Sequence, residues 1–182
     1  MPKIVSGVLS DLERVMIRAS VIQARVAEMA DDVNRDFAGK VLTVVALMDG
    51  SVIFLADLVR AIELPVRVVT LNASSYHGGT VTTGEVRLPW PAGLSLKDDD
   101  VLLIDDILDT GLTLAAVQER LKAEGVASLR TGVLLKKKRK LLKEVEVDYV
   151  GFDIEDEFVV GYGMDYNGRF RNLPCIGTLK LD

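Results

Sequence analysis

The stretch VLTVVAL at positions 41–47 constrains the fold more than any other feature of the chain. Its apolar residues do not alternate with polar ones, so a strand there must be buried on both faces, as in a parallel sheet covered by helices on both sides. The residues around it supply those helices. Leu12, Val15, Ala19, Ile22, Val26, Met29, Val33 and Phe37 recur at spacings of three and four, which predicts one helix from about Ser10 to Phe37. Ser10 with Glu13 reads as its capping box and Gly39 as its stop. A second helix is expected over Val52 to Ile62, and a third ends near Glu124, closed by Gly125. Further strands are expected at 66–71, after Pro65, and at 101–104, 129–135 and 147–152. Strands separated by helices predict an α/β fold with a mainly parallel central sheet flanked by helices. In such folds ligands bind beyond the carboxyl ends of the strands, where MDGS, DDILDTGLT and LKKKRK fall.

With 182 residues the chain is most simply one domain. A net charge of -5 argues against a general affinity for nucleic acid. The one cysteine, Cys175, allows no internal disulfide and suits a reducing, cytoplasmic setting. No stretch has the pattern of an export signal, and no apolar run approaches the roughly 20 residues of a membrane span. Residues 72–91, rich in Gly, Ser and Thr without sustained period, read as disordered or as a functional lid.

The chemistry concentrates in VLLIDDILDTGLTL, residues 101–114. Asp109-Thr110-Gly111-Leu112-Thr113 joins a strand to a helix, whose start offers unpaired N–H groups and a positive dipole end to an anion. Gly111 permits close approach, and Thr110 and Thr113 can donate hydroxyl hydrogen bonds. The nucleoside-triphosphatase lysine and spacing are absent, so a single phosphate fits better than a triphosphate. Asp105 and Asp106 can accept from vicinal sugar hydroxyls or hold a hard divalent cation such as magnesium. Together these features describe a site for a phosphorylated ribose.

VLLIDDILDTGLTL resembles the phosphoribosyl-pyrophosphate signature of the type I phosphoribosyltransferases, and SSY at 74–76 and DEFVVGYGMDYNGRFRNLP at 156–174 resemble the hypoxanthine-guanine members. The resemblance implies the type I phosphoribosyltransferase fold, with a flexible lid loop and a small hood formed by the chain termini. It implies magnesium-dependent transfer of 5-phosphoribosyl from phosphoribosyl pyrophosphate to N9 of a 6-oxopurine, in a homodimer or homotetramer. Asp109 through Thr113 would hold the 5′-phosphate. Asp105 and Asp106 would engage the ribose or its metal, although the first of the pair is usually glutamate in the family. Asp109 would be the general base. Phe158 would stack on the purine, with the Val159 backbone at its edge. Asp165 would help bind the base and a second magnesium, and Arg171 the pyrophosphate. Lys137, selected by the family's LL-x-K, would donate to the purine O6 and so disfavour 6-amino bases.

LMDGS at 47–51 matches the family's pyrophosphate loop, with Asp49 where a lysine or another residue often stands. A carboxylate facing pyrophosphate is unfavourable, so Asp49 is expected to turn away while Gly50 and Ser51 bind through backbone N–H groups. A cis Met48–Asp49 peptide is implied at the same place. Ser75 and Tyr76 would open the lid, which would keep water from an oxocarbenium-like centre. His77 reads as a polar lid residue, and Lys136, Lys138, Arg139 and Lys140 as a solvated face. An RNA-binding regulator on the same fold would need a basic face that this acidic composition does not suggest. A receiver- or phosphatase-like protein would explain the aspartates but not Thr-Gly-x-Thr. A transferase preferring xanthine is a third alternative.

Overall fold

The computed structural model describes residues 11–72, 74–75 and 86–180. Its centre is a five-stranded parallel sheet formed by β2 (Leu42–Met48), β3 (Val66–Asn72), β6 (Asp100–Leu108), β7 (Ser128–Lys137) and β8 (Tyr149–Ile154), in the order β3-β2-β6-β7-β8. Three helices cover it: α1 (Ala19–Asp36), α2 (Val52–Ala61) and α3 (Leu112–Glu124). The twofold alternation of strand side chains decides which helix each residue meets. Leu42, Val44 and Ala46 of β2 face the layer with Ile22, Val26, Phe54 and Leu58 of α1 and α2. Val45 and Leu47 face Leu114, Val117 and Leu121 of α3. Both faces are thus buried, as VLTVVAL requires.

Two small antiparallel sheets complete the described elements. β4 (Ser74–Ser75) pairs with β5 (Val86–Arg87), and β1 (Leu12–Ile17) pairs with β9 (Ile176–Leu179). β1 corrects the expected helix from Ser10: its Leu12–Ile17 segment is extended, and α1 begins only at Ala19. Leu12 packs with Val160, Leu173, Cys175 and Leu179, whereas Val15, the next member of the apparent stripe, is exposed. A backbone partner some 160 residues away overrides the local period. From Ile22 to Phe37 the stripe is buried as expected. Ser10, offered as the helix cap, lies outside the described residues.

The strand expected at 101–104 also runs longer. β6 stays paired with β7 through Asp105, Ile107 and Leu108, so both aspartates lie on the strand itself. Its ladder with β2 stops at Ile104. From β2 the chain passes through α2 to β3 on one side, and from β6 through α3 to β7 on the other. The crevice between β2 and β6 is therefore the topological switch point, where such sheets bind ligands.

At the opposite end of the sheet, Asp100 accepts from Lys40 at 2.6 Å and from the Ser128 hydroxyl. The Lys40 bond, followed by that of Ser128, holds the Asp100 carboxyl below the usual carboxylate range. A depressed value in the folded state means that the contribution is complete above the unfolded value and is lost as pH falls through the folded one. Asp100→Asn is expected to cost about 0.5–1 kcal/mol at pH 7 in urea titrations. Its deficit relative to the parent should shrink below about pH 4.

Candidate active site

Two loops meet at the switch point. A Cβ on Gly50, just after β2, would fall 1.9 Å from Asp106 Oδ2, and a Cβ on Gly163 would fall 2.0 Å from the Gly50 carbonyl oxygen. The 48–51 loop is thus held between the end of β6 and the turn around Gly163, with the Met48–Asp49 peptide cis as the resemblance implied. Asp49 turns outward, its side chain 76% exposed, and only approaches Arg171, at 4.0 Å. Ser51 is buried and donates its hydroxyl to the Leu47 carbonyl, so it does not side-chain cap α2.

Beyond this contact opens a cleft of about 420 Å³. Of the residues expected at the site, it brings together Gly50, Asp106, Asp109, Lys137, Phe158, Val159, Asp165 and Arg171. They come from four segments far apart in sequence, which the parallel sheet gathers at its carboxyl end. Arg171 is fixed by the Gly163 carbonyl at 2.6 Å and by Asp165 Oδ1 at 2.8 Å, while Asp165 Oδ2 accepts from the Gly168 N–H at 2.7 Å. Phe158 stays half-exposed over the cleft, and Tyr166 meets its ring edge-on at 5.6 Å. The Tyr162 hydroxyl ties this segment to α2 by donating to Asp57 at 2.7 Å, and burial, with the Asp57 carboxylate beside it, raises its pKa.

A second hollow of about 70 Å³ lies where β6 turns into α3, lined by Asp105, Asp109, Thr110, Gly111 and Thr113 among others. Leu112 begins the helix and lines neither space. Gly111 has φ +83°, and a Cβ there would meet the Lys143 carbonyl oxygen at 2.2 Å. The glycine therefore also admits a second loop, whose Leu142 and Lys143 N–H groups donate to the Thr110 carbonyl at 2.9 and 3.3 Å. Sequence reasoning gave that loop no part in shaping the anion seat.

Electrostatics divide the site. Burial, and then repulsion from Asp106, push the Asp105 carboxyl well above the usual range, and burial raises Asp106 as well. Two adjacent, partly buried oxygen donors that resist holding two negative charges suit a hard dication, whose charge would relieve both. Among the described residues no three acids or other ligating side chains cluster around one point, so Asp165 stands apart from that pair. At the other side of the cleft, Asp109 accepts from Lys137 at 3.1 Å and from Arg139 at 2.8 Å. Asp156 lies 3.4 Å from each of those cations. Arg139, expected on a solvated face, is exposed and is also bound to Asp109. Neither it nor Asp156 was singled out, because the pairing joins the ends of three strands. Ser75 lies in β4, and Tyr76 and His77 fall outside the described residues.

This geometry has counterparts. The model of the phosphoribosyl transferase domain family matches residues 18–167, and the chain belongs to that family. Proteins similar to it within the family include hypoxanthine-guanine phosphoribosyltransferases. Those of Staphylococcus epidermidis and Staphylococcus aureus are each 43% identical to it, over 94% of this chain and 96% of theirs. A crystal structure of a hypoxanthine phosphoribosyltransferase from Staphylococcus aureus superposes with a TM-score of 0.89 at 41% identity, covering 99% of this chain and 96% of that one. A hypoxanthine-guanine phosphoribosyltransferase from Bacillus anthracis with HEPES in its active site gives 0.87 at 36%, covering 93% and 99%. The type I phosphoribosyltransferase fold expected from the signature is the fold observed.

Gly111→Ala should be costly in two ways, through its left-handed backbone and through collision with Lys143. A loss of roughly 2 kcal/mol or more in denaturant unfolding is expected.

Proposed function

We propose that the chain transfers a 5-phosphoribosyl group from phosphoribosyl pyrophosphate to N9 of hypoxanthine or guanine, giving IMP or GMP and pyrophosphate in purine salvage. The observation that carries this reading is one cleft joining a phosphate-sized hollow, a pair of acids, an exposed aromatic ring and a lysine. The 5′-phosphate would sit on the N–H groups and hydroxyls of Thr110 to Thr113 at the start of α3. Asp106, with Asp105 behind it, would take the ribose hydroxyls. The same two acids would hold magnesium, and Asp165, beside Arg171, would help hold a second magnesium near the pyrophosphate. Bound metal would neutralise phosphate charge and favour departure of pyrophosphate.

The remaining steps belong to the protein. Phe158 stacks on the purine, and Val159 presents backbone groups to its edge. Lys137 turns an N–H from Asp109 towards O6, a contact that a 6-amino group cannot accept. As the N9–C1′ bond forms, the C1′–O bond to pyrophosphate breaks and its electron pair leaves with pyrophosphate. The imidazole proton of the purine passes to Asp109. Arg171 and the backbone N–H groups of Gly50 and Ser51 receive the leaving group, with the outward turn of Asp49 removing a repulsive charge.

The same reading makes residues 1–182 one domain, with 72–91 as a lid opened by Ser75 and Tyr76. Residues 152–182, joined by β1, form the purine-binding hood. The pairing of β1 with β9 and the 2.5 Å Arg14–Glu157 ion pair support that hood by tying the N-terminal strand to the segment before Phe158. We place the enzyme in the cytoplasm as a homodimer or homotetramer that binds neither nucleic acid nor membrane. No helix among the described residues is long and apolar enough to cross a membrane.

The test supplies phosphoribosyl pyrophosphate, magnesium and each purine, and follows nucleotide formation. Hypoxanthine and guanine should turn over, with adenine slower by on the order of 10²-fold or more. Asp109→Asn should lower kcat about 10²–10⁴-fold, and Lys137→Ala should narrow the preference for 6-oxopurines. Equal turnover of adenine and guanine would remove the role given to Lys137. Absence of nucleotide with every purine would sink the whole reading.

A further inference from the structure

We infer that Arg139 is a positioning residue for Asp109, anchoring one carboxylate oxygen so that the other is left aimed into the cleft when Lys137 turns to the purine. The inference rests on the proposed role of Asp109 as base. Its physical support is the division of contacts on that carboxylate. Arg139 Nη1 bonds Oδ1 at 2.8 Å, whereas Lys137 Nζ bonds Oδ2 at 3.1 Å. Lys137, with a side chain only 11% exposed, lines the cleft, while Arg139 stands at the rim at 35%. When Lys137 leaves for O6, Oδ2 loses its partner and becomes the acceptor for the purine N–H. Oδ1 keeps its own, so the carboxylate does not swing into solvent.

The backbone sets up this arrangement. The Lys138 N–H donates to the Ile154 carbonyl at 2.8 Å, carrying the β7–β8 pairing one step past Lys137. Arg139 lies two residues past the end of β7 and Asp156 two past the end of β8, and the Arg139 N–H donates back to the Lys137 carbonyl at 2.9 Å, a tight turn that holds Arg139 beside Lys137. Asp156 Oδ1 lies 3.4 Å from both Lys137 Nζ and Arg139 Nη1 and closes a ring of two cations and two anions. Lys138 points the other way, to Glu155 at 2.7 Å. Asp156 also keeps Arg139 in place during turnover, since that bridge does not depend on Asp109. Arg139 meets both carboxylates through one nitrogen, Nη1, so the task calls for a cationic donor at that point and not for a bidentate fork.

The test is steady-state kinetics on the full chain. Arg139→Gln should lower kcat for hypoxanthine roughly tenfold, the scale of a charge-assisted hydrogen bond at a partly exposed site. KM for phosphoribosyl pyrophosphate should stay within about twofold and the unfolding midpoint should hold, because partly exposed ion pairs add little stability. Arg139→Lys should recover most of the rate. In an Asp109→Asn background, Arg139→Gln should have no further effect, as expected of two residues acting through one contact. An unchanged kcat in Arg139→Gln overturns the inference, as does an undiminished tenfold loss in the Asp109→Asn background. Full activity in Asp109→Asn alone would instead refute the base assignment, and the role of Arg139 with it.

Discussion

The hydrogen-bonded ladder between β2 and β6 ends at Ala46 opposite Ile104, and the site exists because the two strands then part company. β2 continues with β3 as far as Met48 opposite Asn72, and β6 continues with β7 as far as Leu108 opposite Lys136. Each strand keeps its backbone groups paired on its outer side while the inner sides separate. A buried, unpaired backbone group is costly, so a crevice of this kind is stable only where the flanking strands carry the pairing. Asp105 and Asp106 stand where β6 has lost β2 but still has β7. That position gives them rigid support and also an open side.

The crevice is then narrowed by backbone, not by side chains. Gly50 lets its loop touch the Asp106 carboxylate, and Gly163 lets the 161–165 turn touch the Gly50 carbonyl. Arg171 reaches across to the Gly163 carbonyl and to Asp165, locking the turn that carries the far wall. Close backbone approach matters electrostatically, since N–H groups aimed at an incoming anion are fixed dipoles that need little reorganisation. The outward turn of Asp49 belongs to the same construction. A loop pressed between Asp106 and Gly163 leaves its one acidic side chain little direction but outward.

Much of the fold was legible because its signals are local. VLTVVAL announces a doubly covered strand by composition alone, and Ile22 to Phe37 announce a helix by period. The mistaken stretch, Leu12–Ile17, carried a helical period by coincidence, and only its pairing with Ile176–Leu179 decides its conformation. The extension of β6 to Leu108 was hidden for a similar reason, since polar aspartates read as a strand end unless the neighbouring strand is known. At the candidate site, Asp105, Asp106, Asp109, Thr110, Gly111 and Thr113 of the signature line the cleft or the adjoining hollow, and Leu112 lines neither. Those assigned no role, Arg139 and Asp156, owe their position to the parallel register of β7 with β8. No spacing within either segment records that register.

The basic run from Lys136 to Lys140 shows how strand geometry turns one uniform feature into distinct parts. Residue type cannot separate five consecutive cations. The tight turn at the end of β7 does, with Lys137 and Arg139 meeting Asp109 and Asp156 and Lys138 meeting Glu155. The ring formed on the inner side joins two cationic and two anionic side chains, so an uncharged ligand entering beside it meets no net charge. The acids at Asp105 and Asp106, by contrast, make no ion pair among the described residues, and burial raises both, with Arg171 offsetting only part of the rise at Asp106. One end of the cleft therefore suits an uncharged base and the other a cation-bearing polyphosphate. The difference lies in which strand ends are neighbours, and the chain's overall charge of -5 gives no hint of it.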